Sequence, residues 1–339
     1  MPTLFESLNE DQRSAHLADC AARALPLWGL APQARLKLLN ISENATYRID
    51  CPTRSAPLIL RVHRTGYHSL DAIRTELAWM KALKIEAGVE TPQAIAALDG
   101  ELIQTIASPT LDEQRHVVMF AFIEGEEPAA DSLIEPFKRL GAIAARMHQH
   151  ARAWQRPDYF ERLVWDFEGA VGRRGNWGDW RDGPGLDAAA IDLLEQLVDR
   201  IGMRLEAFGM DDARFGLIHA DLRLANLLVT PDDTRVIDFD DAGLGWYLYD
   251  VATAVSFMEE REDLDSVLAA WVAGYRTVAA LSREEEAEIP TFLMLRRMAI
   301  LAWIGSHAET DLARELGLPY TEGTLRLAER YMALFPIRR

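Results

Sequence analysis

The chain has 339 residues, long for one compact core and comfortable for two lobes. Hydrophobic residues make up 49% and charged residues 26%, the balance of a globular protein rather than a disordered or fibrous one. The formal net charge of −17 would repel nucleic-acid phosphates and anionic lipid, so neither nucleic acid nor membrane is an expected partner.

In chain order, the segment Met1 to Cys20 carries acids where a signal peptide would carry a basic and then an apolar stretch, which predicts a cytoplasmic protein. Ser14 to Leu25 has helical spacing of apolar residues. Strand-like runs follow at Ala34 to Ile41, Thr46 to Cys51 and Leu58 to Val62, the last two separated by turn residues at Pro52 to Pro57. Leu70 to Leu83 is helical, with Ile73, Leu77, Met80 and Leu83 on one face. Strand-like runs at Leu102 to Ile106 and His116 to Ile123 complete a small sheet carrying one helix. At Glu124 to Pro128 a short polar segment with Gly and Pro breaks the pattern. Beyond it, helices are expected at Ile134 to His148, Ala188 to Phe208, Leu248 to Met258, Asp265 to Val278 and Glu285 to Ile304. No apolar run approaches the roughly 18–20 residues that span a bilayer. This predicts an α+β chain with an N-terminal lobe over 1–123, a connector at 124–128 and a mostly helical lobe over 129–339, with a cleft between lobes as the place for a ligand.

One stretch within the helical half differs from its surroundings: Phe215 to Asp241, containing IHADLRLANLLV and VIDFDD. Leu227 to Val229 and Arg235 to Phe239 read as short strands around a turn at Pro231-Asp232-Asp233. Asp221 and Asn226 then lie on the loop entering this hairpin, and Asp238 lies at its exit. A carboxylate can accept a hydroxyl proton, while an amide oxygen and a second carboxylate are hard ligands for magnesium. These are the parts that phosphoryl transfer requires. The spacing His219-x-Asp221-x4-Asn226, with Asp238 twelve positions later, follows the catalytic-loop and metal-loop pattern of kinases.

On these motifs, with VIDFDDAGLGWYLYDVA, the chain resembles the aminoglycoside phosphotransferase and choline kinase-like family, nearest to its homoserine kinase and bacterial stress-response kinase branches. The resemblance runs from about Leu38 to the helix after Tyr249. It implies a protein-kinase-like bilobal fold, a small antiparallel-sheet lobe with one main helix and a larger helical lobe, with ATP between them. It implies Asp221 as catalytic base, Asn226 and Asp238 as Mg2+ ligands, and His219 as a brace of the catalytic loop. In the first lobe, Arg61 stands where kinases place a strand lysine, with Glu76 as its helix partner. Only four of the 36 basic residues are lysines (Lys37, Lys81, Lys84, Lys138). Arginine can bind phosphate as a fork but is not a lysine equivalent. The phosphate-covering loop has no glycines; Ser42 and Asn44 in Ile41 to Tyr47 stand in their place. Met119 to Ile123, with Phe120 and Phe122, occupies the adenine-binding linker position.

Asp240 and Asp241 read either as ligands for metal or a cationic substrate or as solvated turn acids, and Asp250 as a helix-start carboxylate. Trp177, in the stretch Gly175 to Asp182, and Trp246 are candidates to line the acceptor pocket, since indole faces receive cations; the alternative for that stretch is a loop whose aromatics only pack. His148 and His150 lack a third metal ligand, and Cys20 and Cys51 form neither a disulfide framework nor a metal pair. No HExxH, GxSxG or Walker-type GK[ST] occurs. The expectation is an ATP- and Mg2+-dependent O-phosphotransferase acting on a small, amine-bearing hydroxyl compound. Homoserine or another amino alcohol comes first and an aminoglycoside second. The alternatives are a serine/threonine protein kinase of the stress-response type and a catalytically silent, kinase-fold nucleotide-binding protein.

Overall fold

In the computed structural model, which describes residues 5–41, 44–108, 111–308 and 310–336, Asn9 opens the first helix with a capping box. Its side chain accepts the N–H of Gln12, while the Gln12 side chain accepts the N–H of Asn9, so two otherwise orphaned donors are satisfied. This helix, α1 (Glu10–Ala24), buries Leu17, Cys20, Ala21 and Ala24 in a core shared with the sheet.

The sheet has five strands: β1 (Arg35–Ile41), β2 (Ala45–Asp50), β3 (Leu58–Val62), β4 (Ile103–Ala107) and β5 (Gln114–Ala121). They lie in the order β1-β2-β3-β5-β4, and all four neighbouring pairs are antiparallel. Period-two alternation sends Ala45, Tyr47 and Ile49 of β2 and Leu58, Leu60 and Val62 of β3 into the core. The same alternation turns Arg61 to the other face. The helix α2 (Leu70–Ala87) begins at Ser69, whose hydroxyl accepts the N–H of Ala72. It runs one turn past the expected Leu83 and stops at Gly88, which takes a left-handed φ of 61°.

The chain divides into two units. The first runs through Ala82 and takes in Thr91–Glu124 and Pro157–Glu161. The second comprises Leu83–Glu90, Gly125–Arg156 and the chain from Arg162 onward. These boundaries differ from a simple cut near residue 124, because the end of α2 belongs to the second unit and a later loop belongs to the first.

The second unit holds α3 (Ile134–Ala153), α4 (Phe167–Val171), α5 (Ala188–Phe208), α6 (Tyr249–Ala254), α7 (Leu264–Tyr275), α8 (Arg283–Glu286), α9 (Ile289–Ser306) and α10 (Asp311–Leu334). Its strands β6 (Leu163–Trp165), β7 (Phe215–Ile218) and β10 (Gly243–Trp246) form a three-stranded sheet in the order β6-β10-β7. β8 (Leu227–Val229) and β9 (Thr234–Val236) form the expected hairpin, closed by paired backbone bonds between Thr230 and Asp233. The expected helix from Glu285 divides into α8 and α9, because Ser282 caps a separate short turn. α10, which the sequence reading did not identify, is kinked at Gly317 ahead of Pro319. The segment Arg283–Ser306 is long and apolar enough to cross a bilayer, contrary to the sequence expectation, but it is mostly buried within the protein. A helix buried on all sides is apolar on all sides, and α9 is that core helix. Within it, Arg296 and Arg297 are charged residues almost fully removed from solvent.

Candidate active site

In the first unit, Arg61 on β3 and Glu76 on α2 meet as expected. The Arg61 Nη2 donates to Glu76 Oε1 at 2.5 Å, with both residues buried. The guanidinium also lies over the ring of Phe120, 5.1 Å from its centroid. Phe120 is therefore a buried support for Arg61, beside β3 through its pairing with Ile59. Phe122 is half-buried, with Arg48 over its ring at 5.0 Å. Asn44 is buried, and its Oδ1 accepts the N–H of Arg64. Its side chain thus ties β2 to the exit of β3. Ser42 lies outside the described residues.

In the second unit, Asp221 follows β7 on a loop that turns sharply: Ala220 has a φ of 64°. A residue with a Cβ rarely enters this region, and here the surroundings enforce it. Four consecutive backbone N–H groups are satisfied by side chains. Those of His219 and Ala220 donate to Asp250 Oδ2 and Oδ1 at 3.2 and 2.8 Å. That of Asp221 donates to His219 Nδ1, and that of Leu222 to Thr253 Oγ1. Asp250, fully buried in the first turn of α6, also accepts from His148 Nε2 at 2.9 Å, and Tyr275 holds the other ring nitrogen. With Nδ1 accepting, the His219 Nε2–H donates to the carbonyl of Ile237. His219 therefore braces the loop through both ring nitrogens.

The Asp221 carboxylate is buried and gripped from three sides. Its Oδ1 accepts from Arg296 Nη2 at 2.6 Å, and its Oδ2 accepts from Asn226 Nδ2 at 2.7 Å and Arg223 Nε at 3.1 Å. Burial pushes the carboxyl up, but Arg223 and Arg296 outweigh that and hold it below its ordinary range. Asp221 is thus an anion, able to accept a hydrogen bond from a hydroxyl. The Asn226 Nδ2 donates also to the Asp221 carbonyl, which directs the amide oxygen the other way. Ile237 sits between the two loops, its N–H on the Asn226 carbonyl. The next residue, Asp238, is half-buried and left-handed, with a φ of 63°. An amide oxygen and a carboxylate suit magnesium, which keeps its other positions for water and phosphate oxygens. Among the described residues no group of three or more His, Cys, Asp or Glu forms a self-sufficient metal cage.

The candidate acceptor residues separate. Trp177 is buried with its indole over Arg296, 4.8 Å from the guanidinium, and so lies against the group that holds Asp221. Asp240 is buried, and its carbonyl accepts from Arg162. Trp246 belongs to the core instead: it packs edge-on against Phe215, and its Nε1 donates to the carbonyl of Gly209. Trp246 is 2% exposed, its ring packed and its indole nitrogen bonded within the core.

Sequence reasoning missed Arg296, Arg223, Thr253 and the supporting role of Asp250. Arg296 lies 75 residues from its partner. Its one sequence signal is a pair of arginines inside the apolar run LMLRRMAILAW, where a charge calls for a buried partner.

Sheet-plus-helix and helical units, with an Asp-Asn-Asp constellation at a loop and hairpin, define a kinase-like phosphotransferase. The chain belongs to the phosphotransferase enzyme family (APH), whose family model matches residues 36–287. It is similar to a microcompartment-associated aminopropanol kinase of known structure, 41% identical, over 95% of this chain and 99% of that one, with a TM-score of 0.87. It is also similar to the amicoumacin kinase hAmiN, solved in complex with AMP-PNP, Ca2+ and Ami: 22% identity, 97% of both chains, TM-score 0.76. A homoserine kinase of Neisseria meningitidis serogroup B is 29% identical over 60% of this chain and 62% of its own length. The protein is an ATP- and Mg2+-dependent small-molecule kinase that phosphorylates a hydroxyl group.

Replacing Asp250 by Asn exchanges one acceptor oxygen for a donor facing an N–H. Asp250→Asn is expected to lower stability by about 1–3 kcal/mol in urea unfolding, the range for a buried donor left unpaired, and to slow turnover.

Proposed function

We propose that this kinase transfers the γ-phosphoryl group of ATP to the hydroxyl of a small amino alcohol, an aminopropanol-like compound first, homoserine next and an aminoglycoside after these. The observation that carries the acceptor class is the 41% identity, spread over nearly the full length of both chains, with a kinase of aminopropanol. The shorter match to a homoserine kinase supports a broader amino-alcohol class.

In this reading Asp221 accepts the hydrogen bond of the acceptor hydroxyl and takes its proton as transfer proceeds, at an oxygen already ionised and oriented by its arginines. Asn226 and Asp238 would hold magnesium, which neutralises charge on the transferring group when bound. Arg61, fixed by Glu76 and Phe120, would meet nucleotide phosphates as a planar fork, a role a lysine cannot duplicate. Trp177 and Asp240 are the residues we assign to the acceptor's surroundings. The first unit would then serve the nucleotide and the second the chemistry and the acceptor.

Two experiments test the reading. In a magnesium-dependent ADP-release assay with amino alcohols, homoserine, choline and aminoglycosides, an amino alcohol is expected to give the largest kcat/KM. Asp221→Asn should abolish that signal, a loss of about 100-fold or more, without loss of folding. Full turnover in Asp221→Asn contradicts the role of Asp221, and a preference for an aminoglycoside contradicts the acceptor class. Arg61→Lys is expected to raise the KM for ATP by about tenfold with the acceptor KM unchanged, because one fork contact of about 1.4 kcal/mol is lost.

A further inference from the structure

Arg296 is almost fully buried in a helix whose buried residues, apart from Thr291 and the neighbouring Arg297, are apolar, Met294, Leu295, Met298 and Ile300 among them. A guanidinium in such a place is costly to desolvate unless its donors are all used. Here each of its three nitrogens donates, two of them to the adjacent residues Ala220 and Asp221. Nη2 donates to Asp221 Oδ1 at 2.6 Å, Nη1 to the carbonyl of Ala220 at 3.2 Å, and Nε to Ser256 Oγ at 3.2 Å. The Trp177 indole covers the guanidinium at 4.8 Å, and the Tyr249 ring lies 5.9 Å away. One rigid, planar group thus holds both the backbone of the left-handed residue and the side chain of the next.

Oδ2 of Asp221 already accepts two bonds, from Asn226 and Arg223, while Oδ1 accepts one, from Arg296. A carboxylate oxygen has room for two. We propose that Arg296 is a positioning residue for phosphoryl transfer: by fixing the plane of the Asp221 carboxylate it directs the remaining lone pair of Oδ1 at the acceptor hydroxyl. The acceptor O–H proton passes to Oδ1 as the hydroxyl oxygen bonds to the γ-phosphorus. The bond from that phosphorus to the β,γ-bridging oxygen breaks, and its electron pair leaves with ADP. A lysine in place of Arg296 keeps the charge but cannot span Ala220, Asp221 and Ser256 together.

The inference rests on the reading of Asp221 as the hydroxyl acceptor, and the test separates the two. Arg296→Lys, Arg296→Ala and Asp221→Asn are compared with the wild type for acceptor-dependent turnover, Mg-nucleotide affinity and thermal midpoint. Arg296→Lys should lose about 100-fold in kcat, the scale of a misplaced reacting group, with the KM for ATP within about threefold of wild type. Guanidinium ion added to Arg296→Ala should restore turnover by about tenfold or more, because a free guanidinium can reoccupy the gap, and should do nothing for Asp221→Asn. Full kcat in Arg296→Lys overturns the inference while leaving the role of Asp221 intact. So does a loss of turnover in both Arg296 variants that tracks lost nucleotide affinity and thermal midpoint with no rescue, because Arg296 is then only a fold-maintaining residue. Turnover retained in Asp221→Asn overturns the reading beneath it.

Discussion

The loop after β7, which carries the candidate base Asp221, turns through the left-handed region at Ala220 and cannot satisfy its own backbone. It belongs to no helix, and β7 ends before it. Buried N–H groups without partners each carry a penalty of about 1–3 kcal/mol. The N–H groups of residues 219–222 are therefore met by side chains, two by Asp250, one by His219 and one by Thr253. The placement of Asp221, and through it of Asn226 and Arg296, depends on that set of bonds. Asp250 is in turn fixed by His148 and Tyr275, so a buried polar chain runs from the loop through α3 to α7.

Electrostatics in the second unit follow from this scaffold. The chain is acidic as a whole, yet the candidate base is surrounded by guanidinium groups. Arg223 and Arg296 keep Asp221 ionised despite its burial, and each is a rigid fork that orients as well as charges. Phosphoryl transfer asks little covalent chemistry of the protein and much positioning, so an anionic, aimed carboxylate suits it better than a strongly basic one. The first unit uses the same chemistry at Arg61, where Glu76 and Phe120 fix a guanidinium in the place expected of a lysine.

Much of this was legible in the sequence because its signals are local. The alternation in β2 and β3, the helical period of α2 and the five-residue step from Asp221 to Asn226 each lie within a short window. What the sequence concealed is nonlocal or short. β6 has three residues and β10 alternates glycine with apolar residues, so neither has a period to detect. α10 escaped notice because Gly317 and Pro319 interrupt it. Asp250 looked like an ordinary helix-start carboxylate, which it is; its bonds to the loop lie about thirty residues away along the chain. Trp246 has the composition of a ligand-facing aromatic and the environment of a core residue, a distinction only packing reveals.

The identity of the product reports whether the protein phosphorylates a hydroxyl through Asp221. The wild-type protein, incubated with ATP, magnesium and 1-amino-2-propanol, should give one new phosphorus-31 resonance in the phosphomonoester region, in step with ADP. That resonance should be absent with Asp221→Asn. A phosphoramidate signal, or inorganic phosphate as the sole product across the amino-alcohol series, would contradict an enzyme that aims a carboxylate at an acceptor hydroxyl.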